Sequence, residues 1–380
     1  MTIDTLTIIL SSIVLLLAIG SPLLSPLFRL RKPESSPSAE DVVLPPVTVL
    51  ITVHRDPKAL EQNLSAFLGQ QYEPGFEVIV VAEKGDSEVE DVLKRHSKHP
   101  NLYTTYIPES SRYMSRKKLA ITLGVKAAHN EWIVLAECYC RPLSDQWLKA
   151  LACHFDATHN MVIGYSGLEA DTNQRYRFRR LTTSAYALRK AQRGTAYRCS
   201  TAIMAFRKSE FMKGEGFRGS LKHIGGEFDY LVNKYARPYS TAVATSPEAL
   251  VEEKMPTRHE WINSRLFYLH TGHNLSRGLS LRLLNFVDSL FLHLALVTSV
   301  SGVAYGALTT NWILTGVSAA ALIIGYVERI IVAHAKIAAY APGIPLWLVP
   351  FFETLQVWGT IGLRIRFLFT DKYAFTCHKQ

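Results

Sequence analysis

The sequence predicts an α/β domain built on a mostly parallel sheet with helices on both faces, carried between membrane-spanning helices at the two ends of the chain. Two observations predict it. Across the first half, short apolar β-branched runs alternate with stretches of helical period, the pattern of successive strand and helix units. At the N-terminus and again after Arg282, apolar stretches reach the roughly 20 residues that a bilayer crossing needs. A chain of 380 residues accommodates one large domain with such additions.

Residues 47–53 form a short apolar run read as a strand, and Asp56-Pro57 then starts a helix whose Leu60, Leu64, Phe67 and Leu68 share one stripe. The pattern repeats as a strand at 76–82, a helix at 86–96, a strand at 102–107, a helix at 115–129 and a strand at 131–136. Helical crossovers of this kind join parallel strands. From Ser144 the pattern loosens into a helix, a strand at 161–168, a basic helical stretch at 175–193, a strand at 200–206 and a helix at 228–235. The domain is expected over residues 47–275.

Residues 5–24 are apolar and are followed by Arg29, Arg31 and Lys32, which places the N-terminus outside and the next domain in the cytoplasm. A cleaved signal peptide needs positive charge ahead of its apolar run, and residues 1–4 carry only an Asp. We therefore read residues 1–28 as an anchor and residues 29–46 as a linker, since KPESSPSAEDVVLPP is rich in Pro, Ser and charge without an apolar period. Residues 276–380 form a second membrane region. Its stretches 283–308 and 312–335 make a helical hairpin around Thr309-Thr310-Asn311, with Arg277 and Arg282 before it and Arg329 and Lys336 at its far end, so both ends face the cytoplasm. Residues 343–363 contain Pro345, Pro350 and Glu353 and run into Arg364 and Arg366, which favours a re-entrant or interfacial helix. These features predict a multi-pass protein of the cell's inner, cytoplasmic membrane.

The chain carries 42 Lys+Arg against 32 Asp+Glu, a net +10 that suits nucleic acid, an anionic bilayer or a phosphorylated substrate. Much of the excess flanks the apolar stretches. The basic stretch with Arg175, Arg177, Arg179, Arg180, Arg189, Lys190 and Arg193 interleaves Tyr176, Phe178 and Tyr186, yet beside membrane segments such residues face headgroups or phosphates, so no nucleic-acid partner is expected. Cys138, Cys140, Cys153, Cys199 and Cys377 lack the paired spacing of a zinc site and are read as reduced thiols.

The richest stretch is RYMSRKKLAITLGVKAAHNEWIVLAECYCRPLSDQW at residues 112–147, a basic helix start, a buried strand and an acidic-aromatic turn. Ligands in αβ units sit beyond the carboxyl ends of strands. With VTVLITVHRD at 47–56, FEVIVVAEKGDS at 76–87 and GGEFDYLVNKYARP at 225–238, the chain resembles the family-2 glycosyltransferases of GT-A fold, a Rossmann-like α/β architecture, over most of residues 47–275. The resemblance implies a nucleotide-sugar donor, a lipid-linked or saccharide acceptor, and inversion at the anomeric carbon. It implies that Glu83 contacts the nucleotide base, that Asp56 lies near the ribose, and that Lys117 or Lys118 lies near the diphosphate, whose departing charge a cation neutralises.

Three motifs depart from the family pattern. Where relatives carry Asp-x-Asp for Mg²⁺ or Mn²⁺, this chain has Glu137-Cys138-Tyr139, so a metal would rest on Glu137 and phosphate oxygens or be replaced by Lys and Arg. Where relatives carry an acidic pair that supplies the base, the simplest alignment puts Phe228 at that position, leaving Glu227 or Asp229 to take the proton. Where some relatives carry Gln-x-x-Arg-Trp, this chain has HEWINSRLFYLHTGHN at 259–274, whose Arg265 is the candidate phosphate contact. Two functions follow: an active inverting transferase adding single sugars at the membrane, or a degenerate member acting as a scaffold or regulatory partner of other glycosyltransferases. A transporter is disfavoured because the apolar segments spell out no charge pathway.

Overall fold

The structure is a computed structural model that describes residues 4–28, 30–31, 43–54, 56–108, 115–371 and 375. Most of the expected linker, Arg29, Arg112 and Cys377 lie outside the described residues. The chain forms two compact units, one of Met1–Lys32, Gln174–Tyr186 and Arg277–Gly362, the other of Pro33–Asn173, Ala187–Ser276 and Leu363–Gln380.

In chain order the elements are α1 (Thr5–Gly20), β1 (Val47–Thr52), α2 (Pro57–Leu68), β2 (Phe76–Glu83), α3 (Ser87–His96), β3 (Leu102–Ile107), α4 (Arg116–Ala127), β4 (Trp132–Glu137), β5 (Cys140–Pro142) and α5 (Trp147–Ala152). There follow β6 (Met161–Gly164), β7 (Ser166–Leu168), α6 (Gln174–Gln192), β8 (Ile203–Arg207), α7 (Lys208–Lys213), α8 (Glu227–Tyr235), β9 (Thr241–Ala244), β10 (Val251–Glu253), α9 (Arg258–Asn274), α10 (Leu279–Leu308), α11 (Trp312–Tyr340) and α12 (Val349–Leu368).

The α/β unit centres on a seven-stranded sheet in the order β3-β2-β1-β4-β8-β6-β9. Its pairs are parallel except where β8 meets β4 and β6. β1 and β4 are buried along their whole length, as strands covered by helices on both faces must be. Asp56 caps α2 through Ala59 N–H, and Asp86 and Ser115 cap α3 and α4 in the same way, so each helix begins where a side-chain oxygen satisfies an orphan amide. The stripe Leu60, Leu64, Phe67 and Leu68 is buried against the sheet. Gly124 lets α4 approach β1 closely, since a Cβ there would fall 2.2 Å from a Leu50 methyl.

One expected strand is two. The run 161–168 breaks at Tyr165, leaving β6 in the large sheet and β7 in a three-stranded sheet of order β5-β10-β7. The Tyr165 carbonyl accepts from Val251 N–H at 3.2 Å, which ties the turn between the two ladders to β10. Cys140 opens β5 of this second sheet.

Among the described residues, three helices of the apolar unit are long and apolar enough to cross a membrane: Thr5–Leu24, which includes a 3₁₀ turn at its end, Leu279–Leu308 and Trp312–Tyr340. α12 is not among them. α1 packs on α11 through Val14, Ala18 and Ala321. α10 meets α11 at small residues, where a Cβ on Gly302 would lie 2.2 Å from Ser318 Oγ, the close approach that apolar solvent favours.

Candidate active site

The register pairs Thr52 at the end of β1 with Glu137 at the end of β4. The chain leaves β1 for β2 on one side and reaches β4 on the other, so a switch point, where strand order reverses and crevices open, lies between those two ends. α4 follows β3 and therefore starts at this edge. Because β8 is antiparallel to β4, the residues that precede it arrive here too, and Glu137 N–H donates to Ala202 O at 3.3 Å.

Glu83, at the end of β2, is held by Arg116 and by His54 Nδ1 at 2.6 Å. Asp56 spends its carboxylate on the α2 cap. Asn63 on α2 donates to Cys138 O at 3.0 Å and fixes the turn after β4, where Tyr139 is 36% exposed. Lys254 N–H donates to the Tyr139 carbonyl at 3.0 Å.

The two lysines of α4 face different groups. Lys118 is fully buried and donates to Ser220 O and His223 O at 2.6 Å each, with its ammonium 4.7 Å from the Tyr230 ring centroid. Burial pulls it down to about 8, with Glu227 opposing. Lys117 pairs with Glu137, and its side chain is 33% exposed where that of Glu137 is 7% exposed. Burial works against the charge of Lys117, but Glu137 and Glu227 outweigh it and hold its pKa above the ordinary lysine value. The Phe228 ring lies 5.8 Å from this ammonium. Glu227, first residue of α8, accepts from Ser115 Oγ at 3.4 Å, so the cap of α4 also ties down the start of α8.

Asp229 faces elsewhere. Its carboxylate accepts from Arg198 through Nη2 and, at 3.3 Å, Nε, and from Cys199 N–H at 3.0 Å. The Arg198 guanidinium lies 3.3 Å from the Tyr268 ring centroid, while Arg265 lies 4.1 Å from that of Trp261 and 5.9 Å from that of Tyr268. Thus Lys117, Glu137 and Glu227 come together, Glu83 joins Arg116 and His54, and Asp229 and Arg265 gather around Tyr268. Sequence reasoning missed His54, Arg116, Ser115 and Arg198 as partners. Arg116 was visible as the head of a basic helix start, whereas Arg198 carried no local signal.

A divalent ion at the end of β4 finds a poor donor set. Glu137 already holds the Lys117 ammonium, the second position carries a phenol, and among the described residues no group of three or more His, Cys, Asp or Glu is placed to bind a metal. An ion would have to displace that ammonium from the one carboxylate at the strand end. The residues present do not fit the ion.

The family model described as "Glycosyltransferase like family 2" matches residues 45–266, more than half of the chain. No curated protein matches. Among solved structures, a mannosyltransferase of Pyrobaculum calidifontis in complex with GDP-Man and Mn²⁺ superposes with a TM-score of 0.51 at 18% identity, covering 84% of this chain and 97% of that one. The likeness is one of fold.

Proposed function

The chain belongs to glycosyltransferase-like family 2, and from that premise we propose that it is a membrane-bound enzyme moving a sugar from a nucleotide-sugar donor to a lipid-linked or saccharide acceptor with inversion. The observation that carries this reading is the placing of Lys117, Glu137 and Glu227 at the start of α4, beside the switch point. A helix N-terminus attracts anions, and one that opens on Arg116, Lys117 and Lys118 is built against its own dipole unless an anion or carboxylates answer it. In the reaction, the acceptor oxygen attacks the anomeric carbon, and the bond from that carbon to the diphosphate oxygen breaks with its electron pair. Glu227 takes the hydroxyl proton.

Glu227 is favoured over Asp229 because Asp229 is engaged by Arg198 and Cys199. Glu83 and Asp56 form the nucleoside side of the site, Tyr139 its rim, and Arg265 a phosphate contact from α9. Lys118 holds the loop at Ser220 and His223 instead of the donor. The unit faces the cytoplasm, where nucleotide sugars are supplied. Because the Pyrobaculum calidifontis enzyme was solved with GDP-Man, GDP-mannose is the first donor to try, followed by UDP-sugars.

The test uses the full chain in nanodiscs with radiolabelled donor and a lipid extract, and reads the anomer of the product. We expect Glu227→Gln to lower turnover by at least ~10²-fold, the usual worth of a general base, with donor affinity within about threefold of the parent. Donor binding without turnover on any acceptor would sink the catalytic reading and leave a donor-binding scaffold.

A further inference from the structure

We propose that the site handles the donor diphosphate without a divalent ion, with the Lys117 ammonium, aimed by Glu137, standing where a metal would bridge strand and phosphates. The inference rests on the glycosyltransferase reading of the site and specifies its electrostatics. Three observations carry it. The carboxylate at the end of β4 that would ligate a metal is hydrogen-bonded to Lys117. Of the two partners, Lys117 has the more exposed side chain, 33% against 7% for Glu137. The less buried member of the pair is thus the cation, the charge an entering anion seeks. Lastly, the ammonium sits at the first turn of α4, where the helix dipole and Arg116 add positive potential without any ion.

The roles follow from charge. Lys117 exchanges part of its hydrogen bonding from Glu137 to diphosphate oxygens as the donor binds, and it stabilises the charge that grows on the leaving group. Glu137 touches no substrate atom. It is a positioning residue that holds the ammonium at the strand end and competes with the diphosphate for it. A metal ligand would act with the opposite sign, because removing it weakens nucleotide binding, whereas removing a competitor strengthens it.

The sign is measurable. GDP and UDP are titrated into the full chain in nanodiscs, in EDTA and in MnCl₂, for the parent and for Lys117→Met, Lys117→Arg and Glu137→Gln, with melting temperatures recorded for each. The expected result is a parent Kd that agrees within about twofold between EDTA and MnCl₂. Lys117→Met should weaken binding about tenfold or more in both, Lys117→Arg should stay within about threefold, and Glu137→Gln should tighten it several-fold. If Lys117→Met fails to fold, Lys117→Arg and Glu137→Gln still decide the matter. An affinity that rises tenfold or more with Mn²⁺, and loses that gain in Glu137→Gln, overturns the inference and leaves the transferase reading standing. Absence of GDP and UDP binding under both conditions removes the transferase reading, and this inference with it.

Discussion

Glu227 and Asp229 lie two positions apart on α8, so at about 100° per residue they point to nearly opposite sides of the helix. One meets Ser115 and the charge of Lys117, the other meets Arg198. Their substitutions should therefore fail differently. Asp229→Asn leaves the Arg198 guanidinium buried without its counter-charge, a loss of about 3–5 kcal/mol, which lowers the melting temperature by roughly 10 °C for a domain of this size. Glu227→Gln should leave the melting temperature within about 2 °C while turnover collapses. A well-folded but inactive Asp229→Asn would move the base to Asp229. The sequence narrowed the base to these two residues and went no further. What separates them is Arg198, 31 residues upstream, which the antiparallel course of β8 brings to the site and no motif spacing announces.

Elements were legible where burial is two-sided. β1, β2 and β4 read as apolar or β-branched runs between capped helices, whereas β3, an edge strand with Tyr103 and Tyr106 exposed, read from its β-branched and aromatic residues; the expected boundaries of all four fall within two residues of the observed ones. β5, β7 and β10 have three residues each, too few to display a period of two, so the second sheet and the break at Tyr165 left no trace in the sequence pattern. The segment leading into α8 was equally opaque. Gly225 and Gly226 sit at φ of 74° and 72°, a conformation that side chains resist, and a Cβ on Gly226 would lie 2.6 Å from Thr271 Oγ1. Just before them, His223 stacks on Tyr230 and shares a 3.2 Å hydrogen bond between its Nδ1 and His270 Nε2.

That segment should be acid-sensitive. Burial, then His270, Lys118 and Lys222, bring His223 down to about 4 from an ordinary value of 6.5, and burial lowers His270 as well. Between those values the unfolded chain binds more protons than the folded one, so stability rises with pH. It is complete above about pH 6.5 and is lost as the pH falls through 4. At ~1.4 kcal/mol per pH unit the loss between pH 7 and 4 is roughly 2–3 kcal/mol. Melting curves of the parent and of His223→Gln should converge as the pH falls, and parallel curves would show that the pair does not titrate with folding.

On the scale of the whole molecule, the polar contacts of the apolar unit mark two levels. Near one level Asn311, at the head of α11, donates to Thr7 of α1 at 2.6 Å. Near the other, Arg329 of α11 bonds Ser21, just beyond α1, and Glu353 of α12. α1 and α11 thus run parallel, and α10 returns against them through the turn at Thr309 and Asn311. A bilayer core takes about 20 helical residues, so a span beginning at Trp312 is used up near Ile331, with Lys336 beyond it. On the topology we propose, the ion pair of Arg329 lies at a boundary, and the basic residues after α1 and around the hairpin put that boundary on the cytoplasmic side. The prediction is tested with single cysteines in a Cys377→Ser background, the other four being buried. On intact cells an impermeant maleimide should label Thr310→Cys and spare Lys98→Cys on the α/β unit, and permeabilisation should expose Lys98→Cys. The reverse pattern would put the transferase unit on the side of the membrane that lacks nucleotide sugars and would leave the proposed reaction without its donor.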